Sequence, residues 1–368
     1  MNTLDTLATD HGWVHGAVTK PFTAIVTLYM GQQLALELAV QEIVSVINEV
    51  YYGGDSDLDI WSTIIHTSRK IPREKPHTPP DVPTALQIRL AALLLTLKRQ
   101  PDPAPMPTTH LQSPVNARRD LSWRQLPLFE ETVYEALKDE PGRRAKFTKI
   151  ETEGWVNFMA FLALITKEGI VGLEDIGVVV LREALEERHD SLPSTDGADD
   201  SKIDEATRLN VFVAAAAIWA VIMGEELWER MGQEDECPVG LSLGPAPKQL
   251  IGTIPKRRWE MWIARLQFLS LREDLKICTR ELAAEAAAVM MRPLRVLCWL
   301  VLVGVLLVAH PLVVGAGLVE VEVEADSVAE LAELAELAEL AELAGQAGQA
   351  ERVGRVVGYT GVDVVERD

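Results

Sequence analysis

Apolar residues recur at helical spacing along most of the chain, which predicts a succession of helices separated by polar or proline-rich joins. Between Phe22 and Tyr52, Ile43, Val46, Ile47 and Val50 repeat every three or four positions until Gly53-Gly54, so the stretch reads as one long helix or two joined near Gly31. Asp55 or Asp57 suits an N-cap for the next helix, about Leu58 to Ser68, which sets Ile60, Trp61, Ile64 and Ile65 on one side and has Pro72 and Pro76 beyond its end. Pro79 to Pro83 lead into an apolar helix over Ala85 to Lys98. The prolines between Pro101 and Pro114 then make an exposed connector.

Trp123 to Leu137 and Lys146 to Lys167 are the next helical stretches, the second with an apolar face of Trp155, Phe158, Phe161, Leu162 and Ile165. Leu173 to Arg188 follows, and Ser191 to Asp204 is aspartate-rich with no hydrophobic period, a surface connection. Val211 to Met223 is apolar throughout but too short to span a bilayer core of roughly 30 Å, so it reads as a buried helix at the centre of the fold. After a Gly/Pro loop from Gly240 to Pro255, Lys256 to Phe268 resumes a helix with Trp259, Trp262, Leu266 and Leu269 in one stripe, and alanine-rich Glu273 to Arg292 is helical too. No segment before Pro293 repeats the alternation of strands. The expected class is therefore all-α: a multi-helix globular bundle with Pro-rich loops over 20–292, behind a flexible N-terminus at 1–19.

The pattern changes near Pro293. Val296 to Val319 holds His310 but no Asp, Glu, Lys or Arg, and it is long enough to cross a membrane. Pro311 and several glycines suit a buried hairpin as well, and both readings stay open. Insertion would place the main domain in the cytoplasm, because Arg292 and Arg295 flank the segment, and the tail at 320–368 on the opposite side. That tail repeats Glu-Leu-Ala from Glu330 to Ala344. A three-residue period on a helix that turns every 3.6 residues rotates successive leucines by about 60°, so it is an acidic low-complexity segment without a coherent apolar face.

Hydrophobic residues make up 48% of the chain and charged ones 24%, the usage of a folded protein. The net charge of -20 argues against a nucleic-acid partner, since a polyanion is bound by clustered Lys and Arg. From Leu318 onward there are 13 acids and 3 bases, so half of that charge lies in the tail. Cys237, Cys278 and Cys298 are scattered and odd in number, which suits reduced thiols. Met1 to His15 lacks a basic region followed by an apolar one, so no secretory signal is expected. Protein partners are expected, and a membrane only on the reading in which Val296 to Val319 inserts.

No catalytic or metal motif survives a physical check, and no cofactor is expected. Gly240-Leu241-Ser242-Leu243-Gly244 has the letters of a nucleophile elbow, yet Cys237-Pro238 precedes it in place of a strand and Pro245-Ala246-Pro247 follows in place of a helix start. Asp55, Asp57 and Asp59 imitate half a calcium loop, but Ile60 stands where glycine is required and His66 where glutamate is. His11 and His15 have metal-ligand spacing, but Gly12 and Gly16 weaken any helix there. Nine tryptophans remain. Trp155, Trp219, Trp228, Trp259 and Trp262 suit core packing first and a ligand pocket second, with Asn157 and Glu260 as the polar candidates beside them.

Trp123-Arg124-Gln125-Leu126-Pro127 with Phe129, Gly154-Trp155-Val156-Asn157-Phe158-Met159-Ala160-Phe161, Ala217-Ile218-Trp219 followed by Gly224 and Leu227-Trp228, and Gly244-Pro245 followed by Arg258-Trp259-Glu260-Met261-Trp262 occur in that order. Over about Asp57 to Met291 the chain thereby resembles an uncharacterised fungal family, domain of unknown function 3632. The resemblance carries no catalytic residues. It departs at Ala246-Pro247, where the family often has an aromatic, and in everything after Arg292. The reading is a non-catalytic interaction or regulatory protein. The alternative is a small-ligand binder or enzyme with a site between the helices of Trp155, Trp219 and Trp259, marked by a buried polar cluster with perturbed ionisation.

Overall fold

The computed structural model describes residues 4–5, 8, 21–51, 58–73, 82–102, 122–144, 146–187, 189, 203–229 and 256–309, with backbone alone at 48–51, 58–59 and 295–309. Among them are ten α-helices, one 3-10 turn and no strand, the all-α class that the periodicity predicts. The chain divides into two compact units, Met1–Val289 and Met290–Asp368. In the second, the described residues Met290–Ala309 are helical. Asp55, Asp57, His11, His15, Gly240–Gly244 and the chain beyond Ala309 fall outside the described residues.

α1 (Pro21–Met30) and α2 (Leu36–Tyr51) are two helices, and they part where Gly31 had suggested. The left-handed residue at the break is Gln32, with φ 62°, and the Gln33 amide donates back to the Leu28 carbonyl at 2.9 Å to close the helix end. α3 (Leu58–Lys70) buries Ile60, Trp61, Ile64 and Ile65 together. α4 (Ala85–Lys98) opens on a capping box, the Gln87 amide donating to Thr84 Oγ1 and the Thr84 amide to Gln87 Oε1.

Trp123 to Leu137 is divided, not the single helix its periodicity suggests. A 3-10 turn at Trp123–Gln125 is separated from α5 (Phe129–Leu137) by Leu126-Pro127-Leu128, in which both leucines take positive φ, 46° and 66°. Pro127 has no N–H for a helical bond and disfavours helical backbone at Leu126, so the helix restarts beyond it. The Trp61 indole N–H donates to the Pro127 carbonyl at 2.8 Å and its ring meets Phe129 edge-on at 5.5 Å, fixing the turn against α3.

α6 (Lys149–Lys167) starts at Thr148, whose hydroxyl accepts the Glu151 amide, and ends at Gly169, where φ is 64°. α7 (Glu174–Leu185), α8 (Glu205–Glu229), α9 (Lys256–Ser270) and α10 (Ile277–Ala309) complete the order. α10 continues through Pro293, beyond the end at Arg292 that the alanine-rich pattern suggested.

α8 is the centre of the first unit, packed on α6 along one flank and α7 along another, while α3 packs against α6. By length and composition α8 is able to cross a membrane, but its apolar window is 78% buried, the mark of a core helix. The Val211–Met223 stretch lies wholly inside. Gly177 makes the α7 approach close: a β-carbon there would lie 2.7 Å from Trp219 Cε3.

Candidate functional site

The seven residues that the sequence marks for a pocket are placed in different roles. Trp155, on α6, is buried and meets Phe158 edge-on at 6.1 Å. Asn157 ties off the end of α3: its Nδ2 donates to the Arg69 carbonyl at 3.1 Å, and its Oδ1 accepts the Arg73 amide at 3.1 Å. Trp219 is fully buried under Gly177, and its indole N–H has no acceptor among the described residues. Trp259 and Trp262 are fully buried and come together with Trp228, at 6.2 Å and 5.6 Å from the Trp259 ring. Trp262 Nε1 donates to Glu186 Oε1 at 2.9 Å, which also accepts from Arg258 Nε at 3.0 Å, so this aromatic group pins α9 to the end of α7. Glu260 points outward, 3.8 Å from Lys256 Nζ.

A partly buried polar cluster lies away from those tryptophans, with Glu140 and His189 buried, Glu183 half-buried, and Arg143 and Glu187 exposed. It gathers Glu140 and Arg143 from the turn after α5, Arg182, Glu183 and Glu187 from the end of α7, His189 just beyond, and Arg208 from α8. Burial pushes the Glu140 carboxyl up to about 7, with Glu187 raising it further and Arg143 and Arg208 opposing. Burial likewise pushes Glu183 up to about 8, helped by Glu140 and Glu187. Arg143 Nε stands 3.3 Å from Glu140 Oε2. His189 stacks on Phe212 at 5.2 Å, and burial lowers its ring pKa. Two carboxyls that keep their protons near neutrality are able to exchange them with a bound group. No set of three or more His, Cys, Asp or Glu side chains suited to a metal occurs among the described residues.

This cluster escaped the sequence reading because its members lie far apart in the chain. One signal was available: Glu183 falls three residues after Val180 and seven after Ile176, on the apolar face of α7.

A cavity of about 120 Å³ between α4, α6 and α8 is lined by Arg73, Gln87, Leu164, Lys167, Glu168 and Ile222. It is well under the roughly 300 Å³ at which ligand cavities begin. The outward side of α9 is different in kind. At 100° per residue, Arg257, Met261, Ala264, Arg265 and Phe268 share an arc of about 100°, opposite the buried Trp259, Trp262, Leu266 and Leu269. Met261 is 43% exposed, Phe268 53%, and Leu271, in the turn that follows, 78%. The Arg265 guanidinium lies over the Phe268 ring at 5.3 Å. Among the described residues neither Arg257 nor Arg265 has a carboxylate partner.

Neither a curated protein nor a solved structure matches the chain. The family described as "Protein of unknown function (DUF3632)" matches residues 61–266, from Trp61 in α3 to Leu266 in α9. That span covers more than half of the 368 residues and takes in the Trp123–Pro127 turn, the Trp155 helix, α8 and the paired tryptophans of α9. The chain belongs to this family of proteins of unknown function, DUF3632, and the description of the family brings no activity with it.

Proposed function

We propose that the protein is a non-catalytic helical interaction module whose contact surface is the outward side of α9. The observation that supports this most is the composition of that side: Met261, Phe268 and Leu271 stand in solvent beside Arg257 and Arg265, on a helix whose other side is fully committed to the core. Apolar side chains held out in a row cost solubility and add nothing to the core, which is the pattern of a surface that meets a partner. A photo-cross-linking phenylalanine analogue at position 268, in the full chain and in cells, is expected to give adducts, whether lipid or protein. The same group at exposed Glu153 on α6 is expected to give none. Absence of adducts at 268 overturns the reading.

A ligand-binding or enzymatic role has one observation behind it, the Glu140 and Glu183 cluster with its protons held near neutrality. Membrane anchoring through Val296 to Val319 rests on the apolar run itself, and retention in a carbonate-washed membrane pellet is its expected outcome.

A further inference from the structure

We infer that the outward side of α9 is a docking face for an anionic lipid surface, with Met261, Phe268 and Leu271 entering the interface and Arg257 and Arg265 meeting headgroup phosphates. The inference rests on the reading of this side as the contact surface and adds the chemistry of what it meets.

Three observations favour lipid. The first is charge: both guanidinium groups lack a carboxylate partner among the described residues, and Glu260, at the margin of the arc, has Lys256 3.8 Å away. A chain with net charge -20 is repelled as a whole by an anionic surface, so it docks only where a basic patch carries its own apolar anchors, and α9 supplies both on one arc. The second is shape. The apolar residues follow one another along one side of the helix and at the turn after it, with exposure rising from Met261 to Leu271. Protruding apolar and aromatic side chains flanked by cations suit insertion at the boundary between headgroups and acyl chains. The third is the chain that follows. α10 starts at Ile277, itself 54% exposed, and continues to Ala309 through the first part of the apolar run that begins at Val296. The Arg265 guanidinium stacked over Phe268 joins the two kinds of contact in one pair, an aromatic body for the interface and a cation for the phosphate layer.

The test uses the full chain with Cys237, Cys278 and Cys298 changed to Ser and Ala264→Cys carrying an environment-sensitive dye; Ala264 is exposed and lies between Met261 and Phe268 along the helix, at the edge of the arc. Phosphatidylcholine vesicles containing phosphatidylserine are expected to shift the dye emission to the blue with a several-fold gain in intensity, and pure phosphatidylcholine vesicles to leave it unchanged. Arg257→Glu with Arg265→Glu is expected to weaken that partitioning at least roughly tenfold. Phe268→Ser should weaken it as well, while the same dye at Glu153→Cys stays dark. Insertion of Val296 to Val319 alone would bring the chain to both kinds of vesicle and leave the dye at 264 in water. No response to anionic vesicles, or an equal response to neutral ones, overturns the inference. A protein adduct at position 268 with no dye response would reject lipid and leave the contact surface standing, whereas absence of any adduct would reject both.

Discussion

At the residue scale, the buried charges of the first unit are held by geometry that allows little substitution. Arg69 is 3% exposed, donates from Nη2 to Asp139 Oδ2 at 3.2 Å and to the Ala136 carbonyl at 3.1 Å, and lies over the Phe158 ring at 5.1 Å. Burial lowers its pKa to about 10 while Asp139 opposes the change, so it stays charged at neutral pH. Asp139→Asn would remove the carboxylate charge that faces that cation, at a cost of about 3 kcal/mol, the lower end for a broken buried pair because the amide oxygen still accepts. Replacing both partners, Arg69→Met with Asp139→Leu, removes the buried charge altogether and is expected to be less destabilising than the single change. Urea unfolding of the three proteins decides it. A double variant no more stable than Asp139→Asn would show that the unpaired charge is not what matters at this site.

At the element scale, close approach of α7 to α8 depends on a missing side chain. Gly177→Ala would put a methyl carbon 2.7 Å from the Trp219 ring, and the ring is walled in, so the helices must part at a cost of about 1–3 kcal/mol. Gly177→Ala combined with Trp219→Leu should recover part of the loss in thermal unfolding, while no recovery would place the strain elsewhere. Helices of this kind were legible in the sequence where a single apolar stripe met a strong stop, as at Ala85–Lys98, whose ends are reproduced by α4. They were less legible where one residue overrides the pattern. Gln32, and not Gly31 beside it, takes the left-handed position at the break, and Leu126 and Leu128 do so around Pro127. Pro293 sits inside α10, although the pattern suggested an end there. Side-chain roles were least legible. Asn157 sits next to a tryptophan in the sequence, which suggested a pocket, but its partners are backbone groups of Arg69 and Arg73 on a distant part of the chain.

At the scale of the whole first unit, the Glu140 and Glu183 cluster couples three elements, the turn after α5, the end of α7 and the start of α8, to pH. In the unfolded chain both carboxyls titrate near 4.5, whereas folded they reach about 7 and about 8. Folded protein therefore binds more protons than unfolded protein between those limits, and stability falls as pH rises. The contribution is complete below about 4.5 and has gone above about 8. His66 and His189 act in the opposite sense. Burial lowers both below 6.5, so the unfolded chain holds their protons longer, and stability gained from them on raising the pH is complete by about 6.5. The window from 6.5 to about 8 accordingly belongs to the carboxyls, with Glu187 adding to their repulsion and Arg143, Arg182 and Arg208 opposing it. In that window Tm is expected to decline with pH for the native chain. In Glu140→Gln with Glu183→Gln, where no proton is lost and the shape is kept, the decline should flatten while Tm at the alkaline end rises. An unchanged slope in the double variant would mean that the two carboxyls do not hold their protons in the folded state, and with that the acid–base reading of this cluster would lose its one support.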